Sequence, residues 1–492
     1  METRIQNMGT LLSTGNLAGR KAMVQILEAG LQAANPYHNA RRLIRVEGGK
    51  LIVGSEEFEP IGSPRRGDEI YDLSKIRNIY VVGAGKGIQN VARAIEEVLD
   101  DRLTGGHVID KKGHPVILKK IGVTLGGHPA PDDDCVRGSE KILALAKGLT
   151  EQDLVFTCVA NGVSSLLTLP ASGLTLGDLR KTTLVTQIER GMPTRDLNPI
   201  RNHLDRMKGG RISSYFHPAK MIHIISIDPG TYDQRMHQNY WLHNLPDCTT
   251  FQEAIENLKR YDAWEAVPEA VRRHLEKADP NQETVKARDF ERMSFRIFGL
   301  MPGYWQSGKL LPAMEKADRL GFKPHIVADQ LIEIEASQAG IYMASMANTI
   351  ERRGQPFEPP CALFSSGELV VTVGKEKGIG GRNQEFALSA ALKIAGSENI
   401  VIASVDTDGT DGPGFQFAGG STDIPCLAGG IVDGWTVEEA RRRGVDIVGG
   451  LKRHDTTHAL WKLNSGIVVS PNISVIDLTV ALVLGRSNRE IA

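Results

Sequence analysis

Lys86 lies in the glycine-rich stretch GAGKG, residues 83–87, between an apolar run and an amphipathic one. Residues 79–82 predict a buried strand, and the apolar spacing over residues 88–99 predicts a helix. A helix N-terminus attracts negative charge, and glycines let an anion approach the backbone. Gly83, Gly85, Gly87 and Lys86 are therefore predicted to bind an anion. The alternative is a tight strand–helix turn whose lysine points to water.

A second glycine loop, GKEKGIGGRNQEFAL at residues 374–388, brings Arg382 and Asn383 to the start of another predicted helix. Asparagine is a favoured N-cap residue, so we predict that Asn383 caps this helix. An arginine at this point can hold a phosphate or carboxylate through two parallel hydrogen bonds. The alternative is a surface hairpin with a solvated arginine.

An acidic loop follows the predicted strand NIVIA and contains Asp406, Asp408 and Asp411. Carboxylate oxygens suit Mg²⁺, which commonly uses one or two carboxylates together with phosphate oxygens. The alternative is a pair of Asp-Gly turns with no ligand.

The stretch DLNPIRNHLDRMKGGRIS, residues 196–213, carries cations along a predicted helix that ends at the glycine pair 209–210. An acidic substrate would explain Arg201 and Lys208. The alternative is that Lys208 and Arg211 offset the negative end of the helix dipole.

The four loops combine cations on glycine turns with an acidic loop, and the sequence shows no nucleophile–base pair. Phosphoryl transfer depends on positioning and charge neutralisation. The sequence therefore predicts an ATP-dependent enzyme that acts on a small anion.

Alternating strand-like and helix-like segments must position these loops. In the first half they predict a parallel sheet with helices on both faces, where ligands bind at the carboxyl ends of the strands. Residues 229–290 break the alternation and predict a helical excursion. Alternation then resumes with a helix at 310–322, a strand at 323–328 and a long helix over 330–353.

Composition narrows the class of protein. The 492 residues carry a formal net charge of −1, which argues against a nucleic-acid or membrane-surface binder. The N-terminus lacks the apolar stretch of a signal peptide, no run is long enough for a membrane helix, and the five cysteines form no CxxC pair. We therefore expect a cytoplasmic enzyme. We also allow a homodimer, although no stretch of the sequence identifies an interface.

The same loops resemble the glycerate 2-kinase family, the type II glycerate kinases with a MOFRL C-terminal domain. The matching stretches are GAGKG, GGHPAPD, DLNPIRNHLDRMKGGRIS, SGELVVTV, GGRNQEFAL and TDGTDGP, and they cover roughly residues 15–470. The resemblance implies an α/β protein of two domains, a Rossmann-like doubly wound parallel-sheet domain over residues 1–290 and an α/β MOFRL-type domain over 291–492. The active site would lie in the cleft between them.

The resemblance also implies a reaction and a set of site residues. ATP and Mg²⁺ would be used to convert D-glycerate, a small hydroxy acid, to 2-phosphoglycerate. Lys86 and Arg382 would be the catalytic cations, and Asp411 would contribute to metal binding. The residues expected to bind substrate or nucleotide are Gly83, Gly85, Gly87, Ser164, Asn198, Arg201, Lys208, Glu368, Asn383 and Asp408.

Two stretches depart from the family pattern. Where the family reads SGGGSALL, residues 160–167 read ANGVSSLL, with Val163 in the place of a glycine. Residues 228–250, DPGTYDQRMHQNYWLHNLPDCTT, replace a second conserved stretch, and the aromatic residues Tyr232, Tyr240 and Trp241 suggest a pocket for a larger or less polar acid. The alternative is therefore a divergent enzyme that acts on a larger anionic substrate. This alternative includes an enzyme that does not transfer a phosphoryl group.

Overall fold

Three β-sheets organise the chain in the computed structural model, which describes residues 3–301, 307–376, 378–412, 423–472 and 477–485. The strands are β1 Ile44–Glu47, β2 Lys50–Val53, β3 Glu69–Asp72, β4 Ile79–Ala84, β5 Gly105–Lys111, β6 Gly122–Gly126, β7 Leu154–Val159, β8 Lys220–Ile225, β9 Phe295–Gly299, β10 Lys323–Glu335, β11 Cys361–Val370, β12 Ile400–Asp406, β13 Gly429–Asp433, β14 Gly466–Ile467 and β15 Asp477–Val483.

Helices connect most of these strands. They are α1 Met8–Leu11, α2 Leu17–Ala33, α3 Pro36–Leu43, α4 Gln89–Leu99, α5 Asp133–Ala144, α6 Val163–Leu166, α7 Leu176–Thr183, α8 Thr194–His203, α9 Arg211–Phe216, α10 Tyr232–His237, α11 Phe251–Arg260, α12 Glu269–Lys277, α13 Ala287–Phe290, α14 Ser307–Arg319, α15 Ala336–Arg353, α16 Arg382–Lys393, α17 Thr436–Arg443, α18 Ile447–Lys452 and α19 Thr456–Lys462. A π-helical turn, Leu184–Glu189, continues α7. In the described part of the chain, no helix combines the length and apolar character needed to cross a membrane.

Residues 36–304 form one of two compact units. Its main sheet has the order β6-β5-β4-β7-β8-β9, and each neighbouring pair is parallel. Every residue of β7 is buried, as expected for a strand covered by helices on both faces. The chain winds outward from β4 in one direction and from β7 in the other. This confirms the doubly wound, Rossmann-like sheet and places its topological switch point between β4 and β7.

The other unit combines residues 1–35 with residues 305–492. Its sheet has the order β10-β11-β15-β12-β13-β14, in which β10 and β11 are parallel and the other neighbours are antiparallel. Helices α2 and α14 contribute to the core on one face, while α15 and α16 contribute to the core on the other. This unit is therefore an α/β layered domain with a mixed sheet.

The division into units differs from the boundary predicted after residue 290. Strand β9 completes the first sheet, because Met221 of β8 lies beside Phe295 of β9. At the other end, α2 belongs to the second unit. The sequence could not indicate this, because α2 lies more than 270 residues before most of the elements on which it packs.

The helix predicted over 330–353 is wrong in its first turns. β10 continues to Glu335, which pairs with Val370 of β11, and α15 begins only at Ala336. By contrast, the helical excursion predicted for residues 229–290 is confirmed by α10, α11, α12 and α13.

Candidate active site

The turn that carries Lys86 follows β4 at the switch point of the parallel sheet. The Lys86 N–H donates to the carbonyl of Asn161, in the loop after β7, over 2.9 Å. Gly85 and Gly87 have φ angles of 145° and 70°, a backbone region that favours glycine. The structure thus places Lys86 where the loops after the two central strands meet.

Asp110, which is buried near the end of β5, holds this turn in place. Its Oδ1 accepts from the backbone N–H of Gly87 over 2.8 Å, and its Oδ2 accepts from Gln89 Nε2 over 3.0 Å. His114 Nδ1 lies 3.0 Å from Oδ1. The Asp110 carboxylate therefore fixes the backbone of the turn through Gly87 and the start of α4 through Gln89. The sequence analysis did not single out Asp110, because nothing in its local pattern marks it.

The altered loop at 160–167 keeps the one glycine that its backbone requires. Gly162 has φ 84°, and a Cβ there would lie 3.0 Å from Lys86 Cγ and 3.1 Å from His128 Cδ2. Val163 instead begins α6, so it needs no positive φ. A glycine therefore stands at the position where the Lys86 side chain passes the loop.

Positive charge gathers around these loops. Burial, together with the nearby charges of Lys86, Lys111 and Arg201, lowers the pKa of His128 well below its ordinary value. A histidine in this environment stays neutral near pH 7 and adds no further charge. The cations and the switch-point backbone together suit an anionic ligand.

A pocket in the same unit brings together three of the predicted binding residues, Ser164, Arg201 and Lys208. Lys208 Nζ donates to Thr168 Oγ1 over 3.0 Å and pairs with the buried carboxylate of Asp205. Hydroxyl groups and leucine side chains form much of the remaining lining. These other lining residues are Pro129, Pro131, Ser165, Thr168, Leu179, Thr182, Thr183, Thr186, Leu197 and Leu204.

The helix predicted to run to the glycine pair ends earlier, at His203. Asp205 turns the chain there, because its side chain accepts from the backbone N–H groups of Leu169 and Met207 over 3.0 Å and 2.8 Å. Lys208 therefore does not lie on α8, and Arg211 begins α9. Arg211 donates to the carbonyl of Lys208 in this turn over 3.0 Å. It also donates to the carbonyl of Asn202, in the last turn of α8, over 2.8 Å, as expected for a cation that offsets the negative end of the helix dipole.

Asn198 is fully buried on α8, one helical turn before Arg201. Within the described residues, neither its amide oxygen nor its amide nitrogen has a hydrogen-bond partner. Buried amides normally satisfy both groups, so this asparagine has unused capacity to bind a ligand or a water molecule.

Arg382 lies in a strongly acidic environment in the second unit. Its Nε and Nη2 donate to the two oxygens of Asp477 over 2.7 Å and 2.9 Å, and Nη2 also donates to Asp406 Oδ2 over 2.9 Å. Glu368 is 3.3 Å from Nη1 and is the exposed member of the group. Burial would lower the pKa of Arg382, but Asp477, Glu368 and Asp406 raise it well above its ordinary value.

Asn383 is not the N-cap of α16, so that prediction is wrong. Gly381 holds the cap position, and Asp411 supplies the missing acceptors: its Oδ1 accepts from the N–H of Asn383 over 3.1 Å and its Oδ2 from the N–H of Gln384 over 2.9 Å. The Asn383 side chain donates to Asp477 over 2.9 Å. Asp411 thus caps a helix from a distant loop. Burial raises its pKa to about 6.

Asp408 is buried in the turn after β12, where its Oδ1 accepts from the N–H of Thr410 over 2.6 Å. Across the described ranges, no three histidine, cysteine or acidic side chains are arranged to hold a metal ion. The role of Asp411 in metal binding therefore stays a prediction, and its two oxygens already serve α16.

The aromatic residues of the departing stretch 228–250 do not support the prediction of a larger pocket. Tyr232 and Trp241 are half-buried and pack against the core beneath the parallel sheet. The stretch reaches the pocket instead through His243, whose Nε2 lies 2.9 Å from Ser164 Oγ. The sequence analysis did not predict this contact, because 79 positions separate the two residues.

Comparisons with known proteins agree with the motifs. A family model described as a domain of unknown function, DUF4147, matches residues 22–276, and the MOFRL family model matches residues 361–475. The chain is 34% identical over 473 residues to a protein named glycerate 2-kinase from Pyrococcus horikoshii, covering 96% of this chain and 98% of the relative. It is 31% identical over 438 residues to the D-glycerate 2-kinase of Thermotoga maritima, covering 88% and 97%.

A solved structure resembles the fold over nearly the whole chain. The crystal structure of glycerate kinase from Thermotoga maritima superposes with a TM-score of 0.70 at 28% identity, covering 95% of this chain and 100% of that one. The sequence relatives, the two family models and this structure all indicate the same family. The chain belongs to the glycerate 2-kinase family and is a phosphotransferase with an alcohol group as acceptor.

Proposed function

We propose that this protein transfers the γ-phosphoryl group of Mg-ATP to D-glycerate and releases 2-phosphoglycerate and ADP. The observation that carries the proposal is the position of Lys86 at the switch point of the parallel sheet, with Lys111 and Arg201 close to the same loops. Open α/β sheets bind ligands at this point. The names of the relatives support glycerate as the acceptor.

In the proposed reaction, the glycerate hydroxyl oxygen forms a bond to the γ-phosphorus while the bond from that phosphorus to the ADP oxygen breaks. The proton of the hydroxyl passes to solvent. Negative charge spreads over the oxygens of the transferring group, and a fixed ammonium stabilises it. We assign this role to Lys86. Its turn is held by Asp110 and Asn161 and needs little rearrangement as the charge develops.

Arg382 stays the second predicted catalytic cation. Its guanidinium already donates to Asp477 and Asp406, so a phosphate would have to compete with two buried carboxylates. Mg²⁺ is proposed to arrive with ATP and to be held chiefly by phosphate oxygens, as is usual for this ion. The exposed carboxylate of Glu368 is the one beside Arg382 that solvent reaches.

The test is ADP release with Mg-ATP and D-glycerate, beside a panel of other hydroxy acids. We expect turnover with D-glycerate, and the product should be 2-phosphoglycerate by phosphorus NMR. If ADP is released only with a bulkier acid, that acid and not D-glycerate is the substrate. Release of no ADP with any acid of the panel would contradict the proposal.

A further inference from the structure

The pocket beside α8 contains a cation, Arg201, that pairs with no acidic side chain among the described residues. Arg201 lines the pocket, and Nη2 donates to the neutral amide oxygen of Gln187 over 2.6 Å. Within the described ranges no carboxylate pairs with Arg201, whereas its neighbour Lys208 is matched by Asp205. Burial lowers the pKa of Arg201 to about 10, and no acidic group offsets this effect. A desolvated, unmatched guanidinium favours an anionic ligand.

The π-helical turn Leu184–Glu189 explains how this cation is positioned. π-helical turns are rare and occur frequently at functional sites. This one presents Gln187 to Arg201, and Thr186, from the same turn, lines the pocket. The Thr186 hydroxyl donates to the carbonyl of Thr182, one turn back, so that its oxygen is held in place. The π-helical turn therefore gives the pocket a polar lining residue and holds the guanidinium of Arg201 through Gln187.

His243 fixes the hydrogen-bonding direction of Ser164 at the same pocket. The imidazole is buried, and burial together with Lys208, Arg201 and Arg211 lowers its pKa well below its ordinary value. It is therefore neutral and has one N–H. Its Nε2 lies 2.9 Å from Ser164 Oγ, while its Nδ1 has no partner within the described residues.

The tautomer follows from the surroundings. A buried N–H without an acceptor is costly, and three neighbouring cations favour a lone pair over a hydrogen. The hydrogen therefore belongs on Nε2, which donates to Ser164 Oγ. The serine must then direct its own hydrogen elsewhere. Ser164 lines the pocket with Arg201, so this hydrogen is available to a ligand there.

We propose that this pocket binds the carboxylate of the hydroxy-acid substrate through Arg201 and the Ser164 hydroxyl, and that His243 is the positioning residue that aims this hydroxyl. Only the identity of the acid rests on the proposed function. A carboxylate fits better than a triphosphate, because one unmatched cation with hydroxyl donors balances about one negative charge.

Steady-state kinetics with Ser164→Ala, His243→Leu and His243→Gln test the proposal. The first two changes should each raise KM for D-glycerate about tenfold or more, because a hydrogen bond to a charged group is lost. KM for ATP should stay unchanged and kcat should stay within about threefold. His243→Gln should restore most of the affinity, because its amide N–H can donate to Ser164 as Nε2 does.

His223 supplies the matched control. It is also fully buried and contacts a hydroxyl, with Nδ1 2.7 Å from Thr157 Oγ1, but it does not line the pocket. His223→Gln should leave both KM values unchanged. The proposal is overturned if Ser164→Ala raises KM for ATP instead, or if His243→Gln is as damaging as His243→Leu.

Calorimetry without nucleotide separates this proposal from the proposed reaction. D-glycerate should bind the wild type and bind Ser164→Ala about tenfold more weakly, while inorganic phosphate should bind no more weakly to the variant than to the wild type. This result without any ADP release would support the pocket and contradict the kinase reaction. ADP release with a KM that Ser164→Ala leaves unchanged would support the kinase and overturn the pocket. No binding of D-glycerate or of any acid in the panel would overturn the pocket.

Discussion

Lys86 and Arg382 come from similar glycine-rich loops, but their electrostatic settings are opposite. Lys86 lies near other cations and a neutral histidine, His128. Arg382 is bound by Asp477 and Asp406, which are both buried. A cation surrounded by other cations, such as Lys86, suits an anionic ligand and adds little to the stability of the fold. A cation bound by buried carboxylates, such as Arg382, stabilises the fold, because its removal would leave those carboxylates without a partner. Substitutions at the two positions should therefore separate activity from stability.

Lys86→Ala should abolish most of the activity and leave the fold intact. We expect kcat to fall about 100-fold to 1,000-fold, the usual loss for one group that stabilises developing charge. The N–H bond to Asn161 is a backbone bond and survives the change. Thermal unfolding followed by circular dichroism checks the fold. The control is Lys120→Ala, since Lys120 pairs with the exposed Asp100 and Asp101, and a matching loss of activity there would contradict the assignment.

Arg382→Ala should instead destabilise the second unit. Removal of the guanidinium leaves Asp406 and Asp477 buried and without their cation, a change that typically costs about 3–5 kcal/mol. Arg382→Lys should recover only part of this, because an ammonium cannot donate to Asp477 through two parallel bonds. Urea unfolding gives the free energies. A free energy of unfolding equal to that of the wild type in Arg382→Ala would show that the carboxylates are not held by this residue.

Among the helices and strands, those that the spacing of nearby apolar residues and glycines determines could be predicted from the sequence. The strand–turn–helix around Lys86 was predicted correctly, because a β-branched run, glycines and a helical apolar period follow each other directly. The end of α8, predicted at the glycine pair 209–210, is wrong, because the helix ends at His203. It depends on Asp205, whose carboxylate accepts from Leu169, 36 positions away. The N-terminus of α16 likewise depends on Asp411, 28 positions from Asn383. Contacts at such distances leave no periodic signal in one sequence.

Asp153 shows how one carboxylate joins two strands of the parallel sheet. It lies just before β7 and accepts from Arg77 Nε over 2.9 Å and from Asn78 Nδ2 over 2.8 Å, directly before β4. The backbone N–H of Thr150 adds a third bond of 2.6 Å. Burial opposes ionisation, but these hydrogen bonds lower the pKa of Asp153 to about 2.

Asp153→Asn should therefore lower the free energy of unfolding at pH 7 by about 1–3 kcal/mol, since several donors lose a charged acceptor. The pKa is lower in the folded state than in the unfolded chain, so the contribution is complete above about pH 4 and is lost as the pH falls toward 2. The difference between wild type and variant should shrink over that range in urea unfolding. Asp101→Asn is the exposed control, and an equal effect there would contradict the prediction.

At the scale of the whole molecule, the unit of residues 305–492 is incomplete without the first 35 residues. Met23 and Leu27 of α2 are fully buried in the same core as Val401 and Val480 of its sheet. Arg20 Nε also lies 2.5 Å from Asp433 Oδ2, and both side chains are almost completely buried. The two ends of the chain therefore build one unit, and residues 36–304 are inserted between them. The sequence alone suggested two consecutive domains, because it does not show that the first 35 residues pack on the elements of residues 305–492.

Fragments should reveal this organisation. We expect residues 36–304 to unfold cooperatively alone, because their sheet and cores are self-contained. Residues 305–492 alone should lack cooperative unfolding, since the apolar face that α2 covers becomes exposed. Residues 1–35 joined to 305–492 by a glycine–serine linker should restore cooperative unfolding. In that fusion, Arg20→Ala should lower the free energy of unfolding by about 3–5 kcal/mol, because it leaves the carboxylate of Asp433 buried without its cation. Differential scanning calorimetry measures each transition. Cooperative unfolding of 305–492 alone, with the same midpoint as the fusion, would show that the first helices contribute little to that unit.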